Sequence, residues 1–473
     1  MAGVPKAQGC DACRKQKKKC DQAKPACARC TRLKLQCTGI GVKRFLFKSE
    51  NTQAAKKHIK AVAGPSSALS NDKTLVAGNL VHILEYDNPG YDISTYGWFV
   101  KDLPRHVGSS KPLDAAITAF VAGFGPLKDR SASKVDALDK YVFALRVLRE
   151  SMQDPKQAFS AANMCSIYLI SICQEWLGSG GSGVTGPGSV NSKHHEVLAY
   201  LLQNAIRKSQ FDPSDKPLMQ TIFSIVVLES FTNPNIQLGP WFWQALSVLG
   251  DAARPLKSGN GTSFASLNIG TMGEMSCFIR DPDRYLYQIQ CTYALIQTEH
   301  PRLIRAAEEA VAKAKASGST FLQRRMGMRF HTAIAVVLSM AAILNRILRS
   351  YDGDPVLIAD AKRYVDESIA LGRAASYNRP IAASAVASPL ALSLAALEDY
   401  RREEVEELLV EYQTDFPGLN YFSDVKMIRR GFDDIDKNNQ RKVRLLLSNE
   451  EGFDSGSGEN DIDTEIGLGC TIL

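Results

Sequence analysis

Residues 10–37 read CDACRKQKKKCDQAKPACARCTRLKLQC, and this stretch decides how the amino-terminal part of the chain folds. Its six cysteines, Cys10, Cys13, Cys20, Cys27, Cys30 and Cys37, repeat the pattern C-x2-C-x6-C twice, joined by a further x6. The other five, Cys165, Cys173, Cys277, Cys291 and Cys470, are scattered without a pairing pattern. A disulfide framework requires an oxidising compartment. Residues 1–30, rich in Lys and Cys, lack the apolar core of a secretory signal. Metal binding accounts for the spacing instead. A C-x2-C turn brings two thiolates to one tetrahedral Zn²⁺, and a helix across x6 returns a third. Each half then offers three sulfurs where a structural zinc takes four. Two zinc ions need eight ligand positions from six thiols, so two sulfurs must bridge. The simplest symmetric solution bridges through Cys10 and Cys27. The expected cofactor is two Zn²⁺ per chain.

The charge is distributed to match. The 473 residues carry a net +7, but residues 1–48 hold thirteen Lys and Arg against only Asp11 and Asp21, a net +11. The rest of the chain is therefore at −4. Six thiolates around two Zn²⁺ add a net −2, which still leaves the head at about +9. A short basic head on a faintly acidic body points to a polyanion-binding module joined to a separate regulatory part. The first x6 segment, Arg14-Lys15-Gln16-Lys17-Lys18-Lys19, consists of good helix formers. A basic helix of this size can enter a major groove, where Lys or Arg meets the O6 and N7 acceptors of guanine.

These residues resemble the zinc binuclear-cluster domain of fungal regulators, with all six cysteines, Asp11, Arg14, Lys17, Lys19, Asp21 and Pro25 in place. Gln16 departs from the Arg or Lys more usual there. The resemblance implies two short helices around two zinc ions, with the helix between the second and third cysteines contacting a CGG triplet. It implies Lys17 as the base reader with Gln16 and Lys18 as neighbours, and Arg14, Lys15 and Lys19 on phosphate. In the second half Arg29, Arg32 and Lys34 are expected on phosphate. Pro25 is expected to shape the loop between the halves, in some relatives through a cis bond. Residues 38–74 show no sustained heptads, so monomer and homodimer both remain open.

The body, residues 75–445, is dominated by helical periodicity, and an all-α regulatory domain is expected there. Ser133 is placed to cap a helix whose apolar stripe is Val135, Leu138, Val142, Leu145 and Leu148, ending at Asp154-Pro155. Further helices are expected over 157–177, 194–208, 216–231, 241–249, 285–297, 303–316, 321–348, 355–371, 383–397 and 403–412. A Gly/Ser-rich loop occupies 178–192. Residues 134–202 resemble the fungal-specific transcription factor domain, the middle homology region found with zinc clusters. The resemblance rests on Leu145, Leu148, Asp154-Pro155, Ala158, Glu175, Gly178, His194 and Leu201-Leu202. It implies a regulatory, dimerising region, in some members a sensor of small molecules. The cluster Trp241, Phe242 and Trp243 reads as a packed helix start, and Glu175 and His194 as structural.

No catalytic motif is found. The Gly/Ser loop lacks the Gly-Lys-Ser/Thr ending of a phosphate loop, His194-His195-Glu196 is not H-E-x-x-H, and no G-x-S-x-G occurs. No enzyme is expected. Thr332–Leu344 is too short to span a bilayer, and Ile381–Leu397 is broken by Pro389, so no membrane partner is expected. Residues 49–74 read as linker and 446–473 as an acidic disordered tail, an activation segment or a solubilising one. The final Cys470-Thr471-Ile472-Leu473 has the C-a-a-X prenylation form, but the preceding residues are acidic rather than polybasic, which disfavours an anchor. The expected function is sequence-specific DNA binding that regulates RNA polymerase II transcription in the nucleus, with the transcription machinery as partner. The alternative is a sensor whose helical body binds a small-molecule effector and whose cluster only targets it to double-stranded DNA.

Overall fold

A computed structural model describes residues 9–37, 72–178, 190–208, 212–250, 255–397 and 399–451. The chain divides into two compact units, Met1–Leu69 and Ser70–Leu473. In the first, two five-residue helices, α1 (Asp11–Lys15) and α2 (Ala28–Arg32), pack around the cysteines. The described residues of the second are helical apart from loops, short 3-10 turns and one isolated bridge, Lys257 with Ser263. A small cysteine core followed by an all-α body is the fold class expected.

The body opens with α3 (Asp72–Leu84), α4 (Leu103–His106), α5 (Lys111–Lys128), α6 (Val135–Met152) and α7 (Ala161–Leu177). It continues with α8 (Val190–Lys208), α9 (Lys216–Glu229), α10 (Pro240–Leu249), α11 (Ile269–Arg280) and α12 (Leu286–Lys315). The remaining helices are α13 (Phe321–Arg349), α14 (Pro355–Ala375), α15 (Ala387–Ala396), α16 (Arg402–Gln413) and α17 (Tyr421–Glu451). One continuous apolar core runs through them. Helix α3 occupies the end of the expected linker, and α17 enters the expected tail. The tail from residue 452, with Cys470, lies outside the described residues, as do 38–71 and most of the Gly/Ser loop.

The centre is α13, packed along α12, α14 and α15. Its start is fixed by a capping box: the Thr320 hydroxyl accepts the Gln323 N–H (3.3 Å), and the Gln323 side chain accepts the Thr320 N–H (2.7 Å). By length and composition this helix alone among the described ones is apolar enough to cross a membrane. Its apolar window, however, is 78% buried against the neighbouring helices. All-round apolarity here serves a helix surrounded by others.

Several expectations need correction. The two helices expected over 285–297 and 303–316 form one, α12, with Pro301 inside it. Packing along α13 holds both flanks in line and outweighs the lost hydrogen bond. The apolar stripe of α6 is rotated: Val135 and Val142 are exposed, while Ala137, Ala144, Val147 and Leu148 are buried. Small residues let α6 approach α5 and α7 closely, so two alanines define the buried face. Ser133 accepts the Val135 N–H at 3.3 Å, but the residue at the N-cap is Lys134, which makes no side-chain cap. Helix α7 starts at Ala161 rather than 157, where Ser160 accepts the Asn163 N–H (3.2 Å). Helices α3, α4, α5, α11 and α17 were not expected at all.

Helix α11 depends on a missing side chain. A Cβ on Gly273 would lie 2.1 Å from the ring of Phe242, which α10 buries against it. We expect Gly273→Ala to destabilise the body by about 2 kcal/mol, read as a lower urea midpoint. The addition of Phe242→Leu should recover part of that loss. Additive effects of the two substitutions would refute the contact.

Candidate metal centre and nucleic-acid interface

The six cysteines come together as the spacing requires. Two groups of four, Cys10, Cys13, Cys20, Cys27 and Cys10, Cys27, Cys30, Cys37, each have their sulfurs within 4.8 Å of one another. The groups share Cys10 and Cys27, the two sulfurs that the arithmetic of the sequence assigns as bridges. The Sγ separations are 3.7 Å for Cys10–Cys27, 3.6 Å for Cys10–Cys30 and 3.8 Å for Cys13–Cys27. Four sulfurs about 2.3 Å from a tetrahedral zinc stand about 3.8 Å apart, so the donor set fits the ion. Without a cation the thiolate forms of Cys10 and Cys27 are disfavoured. Although the amide of Cys13 favours its thiolate, burial and the neighbouring thiols push Cys10 up to about 12. Cys27 is likewise pushed up, against the pull of the Cys30 amide. Dications at this position reverse that preference, since a coordinating thiol is deprotonated outright.

The two halves are built alike, 17 residues apart. The Cys10 N–H donates to Cys20 Sγ (3.5 Å), and the Cys27 N–H donates to Cys37 Sγ (3.4 Å). Each helix ends in the same left-handed cap. Lys17 has φ +50° and Lys34 φ +48°. The next residue's N–H reaches back five positions, Lys18 to the Cys13 carbonyl and Leu35 to the Cys30 carbonyl, both at 2.9 Å. The expected helix across the whole first x6 segment is therefore corrected to α1 alone. The chain must turn after Gln16 to bring Cys20 back to the other sulfurs. Lys17 occupies that turn, in a conformation that costs a non-glycine residue about 1 kcal/mol.

Small contacts brace the halves. Asp21 accepts the Ala28 N–H at the start of α2 (3.1 Å), where a carboxylate also complements the helix dipole. The Lys24–Pro25 peptide is cis. Arg29 is half-buried and donates to Gln16 Oε1 (2.6 Å) and towards Cys13 Sγ (3.9 Å). This tie between the halves was not legible in the sequence, which placed Arg29 on phosphate. Lys15, Gln16, Lys17, Lys18 and Lys19 are all exposed, as are Arg32 and Lys34.

In the body, the residues singled out serve packing. Trp241 and Phe242 are buried at the start of α10 and Trp243 is exposed. His194 bonds Gln174 Oε1 (3.0 Å), and its neighbour His195 faces Glu229 (3.2 Å). Burial, followed by the charge of His195, lowers the His194 pKa to about 4, so it is neutral at pH 7. Burial pushes the Glu175 carboxyl up to about 7.

Residues 8–44 match the family described as the fungal Zn(2)-Cys(6) binuclear cluster domain. No curated protein and no solved structure matches the chain. The clustered sulfurs and this match together identify residues 8–44 as a fungal Zn(2)-Cys(6) binuclear cluster domain, a module that binds two zinc ions and belongs to DNA-binding transcription factors.

Proposed function

We infer that the chain is a sequence-specific nuclear regulator of RNA polymerase II transcription that reads a CGG-type triplet through the turn closing α1. One observation carries this reading. Five consecutive exposed residues, Lys15 to Lys19, are pinned between Cys13 and Cys20, with Lys17 at the apex of the turn. A charge run that merely solvates a surface has no reason to be anchored at both ends by the cysteine core. Zinc is assigned to Cys10, Cys13, Cys20 and Cys27 for one ion and to Cys10, Cys27, Cys30 and Cys37 for the other. The bound ions fix the fold of a segment too small to be held by apolar burial. Lys17 then meets guanine edges in the major groove, flanked by Gln16 and Lys18. Arg14, Lys15, Lys19, Arg32 and Lys34 neutralise phosphates, while Arg29 mainly holds Gln16 in place.

The domain boundaries of this reading are 1–48 for the DNA-binding head, 49–74 for the linker, 75–445 for the regulatory body and 446–473 for the tail. Assignment of 134–202 to the middle homology region is supported by the consecutive packing of α6, α7 and α8, with Leu148, Leu201 and Leu202 buried between them. A second reading, in which the body senses a small molecule, is favoured by a cavity of about 700 Å³ between α9, α11 and α13. That volume is within the usual range for ligand sites.

Zinc analysis of active protein should return two equivalents per chain, and chelation should unfold the head and abolish DNA binding while the body keeps its helical signal. Retention of full DNA affinity by the chelated protein would refute the zinc-held fold. Lys17→Ala should weaken binding to a CGG duplex by about 10- to 100-fold with zinc content unchanged, and should hardly affect non-specific duplex. Equal losses on both duplexes would move Lys17 to phosphate. Lys19→Ala should lower the slope of log K against log salt by about 0.9 on either duplex.

A further inference from the structure

Helix α6 turns an apolar face outward. It packs on α5 and α7 through Ala137, Ala144, Val147 and Leu148. On the other side Val135 is 64% exposed, Val142 61% and Phe143 46%. Beside Phe143 the face runs into a groove of about 570 Å³ whose walls include Val76, Val107 and Ala115. Valine is a poor helix former, so an exposed valine does nothing for the helix that carries it. Contiguous apolar surface of this kind marks a site of association.

The charges on that face are ordered by sign. Asp136 and Asp139 precede Val142-Phe143, and Arg149 and Arg146 follow at matching distances from the point between the two apolar residues. The helix dipole by itself favours acids first and bases last. It gives no reason for apolar residues to stand exposed between them. Asp136 is engaged by Lys140 at 2.6 Å. Arg146 lies over the Phe143 ring at 5.1 Å, and among the described residues neither Arg146 nor Asp139 has an ion-pair partner. At about 100° per residue, Val135, Asp139, Val142 and Arg146 fall within roughly 60° of one another around the helix. The two unpaired charges therefore border the exposed valines directly.

We propose that this face is an interface with a second copy of the chain, the two α6 helices lying antiparallel about a twofold axis between Val142 and Phe143. Such a contact is isologous, so each residue meets the one equally far beyond that point in the other copy. Val142 then meets Phe143, Asp139 meets Arg146, and Arg146 meets Asp139. Glu150 falls beside the first turn of the second copy's α6, where the helix dipole favours a carboxylate. A parallel pairing would set Asp139 against Asp139 and Arg146 against Arg146. A partner of another sequence has no cause to repeat this order in reverse, whereas a second copy does so by symmetry. One helix face per copy is small for an interface, which places the dissociation constant on the order of 10 µM. The inference does not rest on the DNA reading.

The test is sedimentation of the full-length, zinc-loaded chain over about 1–100 µM in low salt, where a micromolar dimer is populated. The chain should dimerise reversibly. Val142→Glu, which buries a carboxylate against the other copy's Phe143, should leave a monomer with an unchanged helical signal. Asp139→Arg and Arg146→Asp should each weaken the dimer about 10-fold or more, because each turns two attractions into two repulsions. The double variant Asp139→Arg/Arg146→Asp should dimerise like the parent, and an equimolar mixture of the two single variants should form a heterodimer. Charge substitutions without effect, or a mixture no better associated than its components, would overturn the antiparallel pairing. A chain still monomeric at about 100 µM, or a dimer indifferent to Val142→Glu, would overturn the interface itself. Binding of a CGG duplex by the Val142→Glu chain reports on the DNA reading separately, so the two fail independently.

Discussion

Crowding of six sulfurs is the constraint on which the head depends. Without cations, Cys10 and Cys27 resist ionisation, and among the described residues the buried core of the head consists of cysteines. With two dications the same crowding becomes the fold. Each local feature then follows from the need to return three sulfurs per half to a common centre. The helices are held to five residues, lysines stand in left-handed turns, and amide N–H groups point at Sγ atoms. Positive charge is displayed on those turns because the interior is occupied by ligands.

The body is stabilised in the opposite way, by apolar burial spread through one core. Buried polar groups in it find partners from other elements: Glu299 accepts the N–H groups of Ala265 and Ser266, and Asn345 donates to Tyr293 and to the Leu357 carbonyl. Arg379 joins Asp415, itself buried, through two hydrogen bonds at 2.6 and 3.0 Å. Such pairs confer specificity of arrangement more than net stability.

What could be read in advance follows from the range of the interactions involved. The clustering of the six cysteines was legible, because ligand spacing is a local code. The all-helical class was legible from periodicity. Two of the helices that escaped have a composition that argues against them. Helix α5 contains Pro126, Gly123 and Gly125, and α11 contains Gly270 and Gly273. Gly123 is a contact surface for Trp176 and Gly273 for Phe242, residues distant in sequence. The stripe of α6 was misplaced because two alanines out-compete two valines for the interior once α5 and α7 come close. Lys17 was placed in a helix because its residue type favours one; the need to bring Cys20 home overrides propensity. Arg29 bonds across 13 residues to Gln16, a partner that no periodicity reveals.

The 17-residue repeat of the head has one more consequence. The backbone of one half repeats in the other, with matching caps at Lys17 and Lys34, but the side chains beside those caps do not repeat. Gln16 and Lys18 flank the first cap, and Leu33 and Leu35, both exposed, flank the second. One backbone design thus displays two chemically different surfaces, a charged one and an apolar one.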